Sequence, residues 1–208
     1  MLRLAVLASG GGTNLQAIID ACEGGEIDAQ VVLVVSNNSD AGALQRARTH
    51  GIPDVHLSSR QFDSREEFDT RLLEILAEYK ADLIILAGYM KLLSPAVVSA
   101  YRHRMLNIHP ALLPSFGGQG MYGIRVHQAV IESGAKFSGV TVHVVDEQYD
   151  HGPIVAQRVV PVMDDDTPEI LARRVLVQEH QIYKEVIQLF AEHRVRIHDR
   201  RTRILPAK

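Results

Sequence analysis

The sequence predicts an α/β fold: a mostly parallel sheet with helices on both faces, then an antiparallel strand pair and one long helix. Three observations predict it. Short apolar runs at residues 2–8, 31–35 and 83–87 have the pattern of strands covered on both faces. Helical stretches alternate with them through the first hundred residues, the order of a parallel sheet built with right-handed crossovers. After Pro114 the alternation stops, and strands at 138–145 and 154–161 are joined by a stretch whose length suits a hairpin with a folded loop rather than a crossover.

The chain has 208 residues, 46% apolar and 23% charged, enough for one domain with a sizeable core. A net charge of -3 and a pI near 6.4 argue against a general nucleic-acid binder. No apolar run approaches the ~20 residues of a membrane span, and the N-terminus enters its first strand with no signal-peptide pattern. Cys22 stands alone, which permits no internal disulfide and fits a reducing compartment. The ten histidines include no His-x-x-x-His pair and have no cysteine partner, so no metal site is expected. Cytoplasmic location, small-molecule partners, no nucleic acid and no membrane are the expectations, with a monomer or homodimer both open. With no repeat or linker, residues 1–208 read as one domain: an N-terminal lobe 1–100, a C-terminal lobe 101–192 and a tail 193–208.

Taken in order, the loop Ser9-Gly10-Gly11-Gly12-Thr13-Asn14 follows the first strand and opens a helix over 15–22. A helix over 41–50 is closed by Gly51 as a C′ residue, and a short strand follows at 55–57. Asp63 is the expected cap of the next helix, with Glu66 completing a capping box. Phe68, Leu72, Leu73, Ile75, Leu76 and Tyr79 form its buried face. Ser94-Pro95 starts a short helix reaching about Tyr101. Residues 105–109 read as a strand, which Pro110 and Pro114 prevent from continuing. Residues 115–123 hold four glycines and no periodicity, the pattern of a mobile loop. A short helix at 126–133 follows. Thr167-Pro168 starts a helix reaching Ala191, with apolar Ile170, Leu171, Val175, Ile182, Val186, Ile187 and Phe190. The basic tail is either a strand pair or disordered, and a solvated terminus is the default.

Three stretches carry chemistry. Asn107 and His109 lie two apart on one strand and share a face. An amide can donate to a developing oxyanion, and an imidazole can carry a proton near neutral pH. A lone histidine at a strand end is, however, more often a surface or satisfied core residue. The loop from Gly10 to Asn14 offers successive backbone N–H groups at a helix N-terminus, which favour a phosphate. It is neither a Walker loop nor a dinucleotide fingerprint, since no Lys-Ser/Thr follows and Leu15 holds the third glycine position. A phosphomonoester therefore suits it better than a dinucleotide. Residues 146–153 supply Asp146, Glu147 and Asp150, any of which near His109 would favour the imidazolium; spacing does not choose among them. His143 alternates with apolar neighbours and could face the same cleft as His109; a packed, hydrogen-bonded structural histidine is the first reading. In a parallel sheet, the loop after the first strand, residues 88–91 and residues 107–109 all fall at strand carboxyl ends, where such folds bind ligands. One shared cleft is the expectation.

Together these stretches resemble the glycinamide ribonucleotide formyltransferase family, folate-dependent formyltransferases of purine biosynthesis. The resemblance runs from Leu2 to about Phe190. It rests on Ser9-Gly-Gly-Gly-Thr-Asn-Leu-Gln-Ala-Ile18, Phe62-Asp-Ser-Arg65, Leu86-Ala-Gly-Tyr-Met-Lys-Leu-Leu-Ser-Pro95 and Leu106-Asn-Ile-His-Pro110 with Leu112-Leu-Pro114. Further on it rests on Gly139-Val-Thr-Val-His143, Asp150-His-Gly-Pro153 and Gln178-Glu-His180. Each is weak alone; the set in this order is specific. The resemblance implies a Rossmann-like formyltransferase fold and 10-formyltetrahydrofolate as co-substrate, with no metal. It implies Asn107, His109 and Asp150 as catalytic residues, so the carboxylate is Asp150 rather than Asp146. It implies Gly12, Thr13, Asn14 and Glu179 as ribonucleotide contacts. Its folate contacts fall on Arg65, Met90, Lys91, Leu93, Asn107 and the stretch Val145, Asp146 to Asp150. The implied mechanism has the ribonucleotide amine attacking the formyl carbon. Asn107 and protonated His109 hold the oxyanion, and Asp150 raises the pKa of His109 and assists proton transfer.

There are departures. Gly117-Gly118 stands where Pro-Gly is common in the family, Lys91 replaces a common Arg, and Leu176 occupies an often polar position near the phosphate. Formyltetrahydrofolate hydrolase shares the trio but carries an additional N-terminal domain; methionyl-tRNA formyltransferase carries an additional C-terminal one. A strand starting at Leu2 and only about fifteen residues after the last helix are expected to disfavour both. A catalytically silent phosphometabolite binder would leave Asn107, His109 and Asp150 unexplained.

Overall fold

A computed structural model describes residues 1–207. By residue range the hydrogen-bonded strand order is 54–56, 29–36, 2–8, 83–86, 105–109, 137–144 and 154–161, with 195–198 and 201–204 in a separate two-stranded sheet. The chain divides into two compact units, Met1–Leu106 and Asn107–Lys208, so the boundary falls inside one strand.

The first unit holds β1 (Leu2–Ala8), α1 (Thr13–Glu23), β2 (Ala29–Ser36), α2 (Gly42–Thr49), β3 (Asp54–His56), a 3-10 turn at Ser59–Gln61, α3 (Arg65–Glu78), β4 (Leu83–Leu86) and α4 (Pro95–Ala100). It also holds the start of β5 (Met105–His109). β1 pairs in parallel with β2 and with β4, and β3 extends the sheet beyond β2 in the same sense. A central parallel strand must be apolar on both faces, and Leu4 through Ala8 are fully buried. Gly51 sits just beyond α2 at φ 65, the left-handed C′ position read from the sequence. Ser94 caps α4, its hydroxyl accepting from Val97 N at 3.3 Å.

The cap of α3 is corrected. Ser64, not Asp63, is the N-cap: its hydroxyl accepts from Glu67 N at 3.1 Å. Glu67 in turn accepts from Asp63 N at 3.2 Å. Ser64 has the extended backbone a cap needs, and Glu67, not Glu66, is the residue that reaches back, to the N–H before the cap. Phe68, Leu72, Ile75 and Leu76 form the buried face with Asp69, while Leu73 and Tyr79 are only half-buried.

The second unit holds the end of β5, α5 (Ile124–Glu132), β6 (Phe137–Val144), β7 (Ile154–Pro161), α6 (Pro168–Ala191), β8 (Val195–His198) and β9 (Arg201–Ile204). β6 and β7 are the antiparallel pair, with a register shift after Val142: Val142 faces Ala156 but His143 faces Ile154. Thr167 caps α6, and Leu171, Val175, Ile182, Val186 and Ile187 line its buried face. Ile170 lies off that stripe and is exposed; Phe190 is half-buried.

The tail takes the strand-pair alternative: it is the hairpin β8–β9, most of its residues exposed. Val195 and Ile197 alternate with Arg196 and His198, a period-two pattern too short to stand out against the surrounding charge. The hairpin is tied to the body of the unit where Thr202 Oγ1 donates to the Ile154 carbonyl at 2.7 Å. Among the described residues no helix is long and apolar enough to cross a membrane.

Candidate active site

β5 ends by presenting Asn107 and His109 on one face while Ile108 is buried on the other. The chain cannot continue as a strand, since prolines at 110 and 114 carry no N–H. Its turn is instead held by side chains. Thr141 Oγ1 on β6 donates to the Ala111 carbonyl at 2.7 Å and accepts from Leu113 N at 3.1 Å. Gln157 Nε2 on β7 donates to the Leu113 carbonyl at 3.0 Å and to Thr141 Oγ1 at 2.9 Å. Thr141 thus has every hydrogen-bonding site used inside the protein, which fixes the exit from β5 against the β6–β7 pair.

The loop between β6 and β7 delivers Asp150, whose backbone is left-handed at φ 52. Its Oδ2 lies 3.4 Å from His109 Nδ1 and accepts from Gly118 N at 2.9 Å. Its Oδ1 accepts from Asn107 Nδ2 at 3.3 Å and lies 3.6 Å from His143 Nε2. The structure therefore brings Asn107, His109 and Asp150 together within the second unit. Asp146, the other aspartate of this loop, turns instead to His151 Nδ1 at 2.6 Å.

Hydrogen-bond partners assign the tautomers. His109 Nε2 meets the Phe116 carbonyl at 2.8 Å. A carbonyl only accepts, so Nε2 bears the hydrogen and, in the neutral ring, Nδ1 presents its lone pair toward Asp150. By the same logic His143 Nδ1 donates to the Val144 carbonyl at 3.1 Å, leaving Nε2 to accept from Asn107 Nδ2 at 3.1 Å. That orients the Asn107 amide with its nitrogen toward both His143 and Asp150.

His143 is packed and hydrogen-bonded, as its alternation with apolar neighbours predicts. It is buried, yet it is part of this cluster, and the register shift at His143 falls where a β-bulge re-aims a side chain. Phe116 and Gly118 were hidden in a stretch read as a mobile loop. Both now bond to site residues, and a Cβ at Gly117 would lie 3.2 Å from that of Asp150 and 2.4 Å from Leu113 Cδ2. The glycine at 117 lets this segment close over Asp150.

Charge follows from burial. Burial pushes the His109 pKa below its ordinary value; the Asp150 charge and the Phe116 carbonyl pull it up but do not make good the loss. Burial also opposes ionisation of Asp150, but the neighbouring His143 and His109 rings and the Gly118 N–H hold its carboxyl below the usual range. His127 on α5, which the sequence did not single out, is buried as well; burial and then His109 push its pKa down to about 4.

In the first unit, the N-cap of α1 is Gly12, which has φ 73 and makes no side-chain cap. The first N–H groups of α1, at Thr13 and Asn14, receive no acidic side chain in the first turn. The glycine loop is stapled to α2: Ala43 N donates to the Gly10 carbonyl at 3.1 Å and Arg46 Nε to the Gly11 carbonyl at 2.8 Å. A Cβ on Gly12 would lie 2.9 Å from Ala43 Cα, so only glycine permits this approach. Ser9 bridges the loop to the next one, donating to Asn37 Oδ1 at 2.5 Å and accepting from Met90 N at 2.9 Å. Arg65 donates to the Leu92 carbonyl at 2.7 Å and pairs with Asp69 at 3.1 Å, which ties residues 90–93 to α3. Met90 and Lys91 are exposed there and Leu93 is buried. In the second unit, Val145 and Asp146 begin the Asp150 loop, and Glu179 lies on the buried face of α6.

Residues 2–187 match the Formyl transferase family. The chain is 46% identical to the chloroplastic phosphoribosylglycinamide formyltransferase of Arabidopsis thaliana over 93% of its length and 67% of that protein's. It is 43% identical to phosphoribosylglycinamide formyltransferase of Escherichia coli, over 95% of the chain and 91% of the relative. The crystal structure of glycinamide ribonucleotide transformylase 1 from Symbiobacterium toebii superimposes with a TM-score of 0.93 at 47% identity, covering 99% of this chain and 95% of that one.

Proposed function

Because the chain belongs to the Formyl transferase family, we propose that it transfers the formyl group of 10-formyltetrahydrofolate to the amine of glycinamide ribonucleotide, giving formylglycinamide ribonucleotide in purine biosynthesis. The observation that carries the reading is the cluster of Asn107, His109 and Asp150, with the Asp150 carboxylate 3.4 Å from His109 Nδ1 and 3.3 Å from Asn107 Nδ2.

The chemistry needs a donor for the oxygen that becomes negative and an acceptor for the proton the amine loses. Asn107 Nδ2 is the donor. Of its two bonds, the one to Asp150 is the longer, at 3.3 Å, and is the one that yields to a developing oxyanion. Asp150 is the acceptor: its carboxylate takes the proton from the attacking nitrogen, with His109 Nδ1 alongside to share it. As the C–N bond to the folate breaks, the proton passes to the departing nitrogen, so the trio ends as it began. His143 and Gly118 hold Asn107 and Asp150 in place throughout.

Gly12, Thr13 and Asn14 supply backbone N–H groups for the ribonucleotide phosphate, and Glu179 contacts the ribonucleotide. Arg65 serves the folate through residues 90–93, whose backbone it holds, with Met90, Lys91 and Leu93 as the contacts. Val145 and Asp146 contribute backbone groups, since the Asp146 carboxylate is engaged by His151 and Gln148 N.

The test is formyl loss from 10-formyltetrahydrofolate, followed with and without the ribonucleotide. Transfer that requires the ribonucleotide supports the reading. Loss of formyl without it indicates a hydrolase using the same trio, and no loss at all indicates a silent binder. Asp150→Asn should lower kcat by ~10²–10⁴-fold, the range of a general acid–base group; an unchanged rate removes Asp150 from the mechanism.

A further inference from the structure

Asp150 holds a left-handed backbone without being a glycine, a conformation that persists only where the surroundings impose it. The base of its loop is closed tightly: a Cβ on Gly152 would lie 1.8 Å from the Val144 carbonyl. Between that base and Asp150 stands His151. Its Nδ1 donates across the loop to Asp146 Oδ2 at 2.6 Å, and Asp146 Oδ1 accepts from Gln148 N at 3.0 Å. These contacts brace the loop internally but do not anchor it.

The anchor comes from the far end of the chain. The hairpin β8–β9 turns at Asp199 and Arg200. Arg200 Nη2 donates to the His151 carbonyl at 3.0 Å, and Nη1 meets the His151 ring at Nε2. A guanidinium only donates, so Nε2 carries the lone pair and the ring hydrogen sits on Nδ1, where Asp146 accepts it. Two residues further along β9, Thr202 ties the hairpin to Ile154, the first residue of β7. The hairpin thus grips both the residue after Asp150 and the strand that the loop enters.

We propose that the C-terminal hairpin is a positioning element for the reaction: Arg200, acting through His151, holds the backbone that aims Asp150 at His109. This rests on the proposed formyl transfer for its kinetic consequence, though not for the mechanical one. Arg200 touches none of the trio, so it is a positioning residue and not a catalytic one. It is also exposed, so replacing it removes no core contact.

The experiment compares Arg200→Ala, Arg200→Lys and the double variant Arg200→Ala/Asp150→Asn in the full chain. It reads kcat and KM together with amide hydrogen exchange over residues 147–152. Arg200→Ala should speed that exchange and lower kcat roughly 5–50-fold at unchanged ribonucleotide KM, less than the ~100-fold a 1 Å misplacement can cost. Arg200→Lys, which can still donate to the His151 carbonyl, should recover part of the rate. In the Asp150→Asn background the loss of Arg200 should add nothing, because its effect runs through Asp150. Unchanged kcat in Arg200→Ala, or an equal further loss in the Asp150→Asn background, overturns the proposal. Should wild type transfer no formyl group, the functional reading falls, and unchanged exchange in Arg200→Ala would overturn the clamp independently.

Discussion

His127 shows how a single buried ring links site architecture to stability. It lies on the inner face of α5, and its Nδ1 has no hydrogen-bond partner. Its folded pKa of about 4 lies below the ordinary 6.5. Between those values the unfolded chain binds a proton that the folded protein excludes. Stability from this group is therefore fully present above about pH 6.5 and lost as pH falls toward 4. The gap corresponds to roughly 3 kcal/mol at 1.36 kcal/mol per pKa unit. The depressed carboxyl of Asp150 acts in the same sense, but at lower pH, below its ordinary 3.8. His127→Leu removes the first contribution. Urea unfolding at pH 7.5 and pH 5 should show wild type losing stability between them and the variant losing much less; equal losses would place the effect elsewhere. At this scale the sequence made part of the cluster legible. Asn107 and His109 share a face because strand periodicity requires it. Asp146 and Asp150 were not separable by spacing, because a left-handed residue reverses the loop at Asp150 and no periodicity describes that. The exact place of His143 beside Asp150 is not readable from alternation, which assumes a regular ladder, because the ladder shifts at that residue.

Helix caps and glycine approaches decide how well an element presents its residues. At α3 two neighbouring residues compete on paper for the cap, and the hydrogen bond from Glu67 N to the Ser64 hydroxyl selects one. Ser64→Ala should cost about 1 kcal/mol in urea unfolding. Asp63→Ala should cost clearly less, since Asp63 enters the cap through its backbone N–H alone; the reverse order would restore Asp63 as the cap. At α1 the constraint is steric. Gly12→Ala places a methyl group 2.9 Å from Ala43 Cα at a φ of 73. The left-handed backbone alone costs a residue with a Cβ roughly 1–2 kcal/mol. The glycine loop must then move away from α2, taking the Thr13 and Asn14 N–H groups with it. The expected result is a lower Tm and a raised KM for the ribonucleotide, with kcat at saturation less affected. A lowered kcat at unchanged KM would remove the loop from ribonucleotide binding. The strand–loop–helix order here was legible because three glycines between an apolar run and a helical pattern leave few alternatives. The tail stays ambiguous between a strand pair and a coil, because two four-residue strands in which Arg and His alternate with Val, Ile and Thr resemble a charged coil until Thr202 and Arg200 are seen tied to β7 and His151.

For the whole chain, binding and catalysis separate by their effect on melting. Any ligand that binds only the folded protein stabilises it by RT ln(1 + [L]/Kd), about 2.7 kcal/mol at a hundredfold excess over Kd. In a chain of 208 residues this is a Tm increase of roughly 5–10 °C. The glycine loop and the Asn107–His109–Asp150 cluster draw on different parts of the sequence, so the two roles are separable by substitution. Asp150→Asn leaves the first turn of α1 untouched; its melting point should still rise with glycinamide ribonucleotide although its turnover has collapsed. Gly12→Ala should show the converse, retaining turnover at high ribonucleotide while its Tm rises little at concentrations that shift wild type. Differential scanning calorimetry across a ribonucleotide titration reads both. If Asp150→Asn abolished the shift as well as the rate, the carboxylate would belong to ground-state binding and the proton transfer assigned to it would need another carrier.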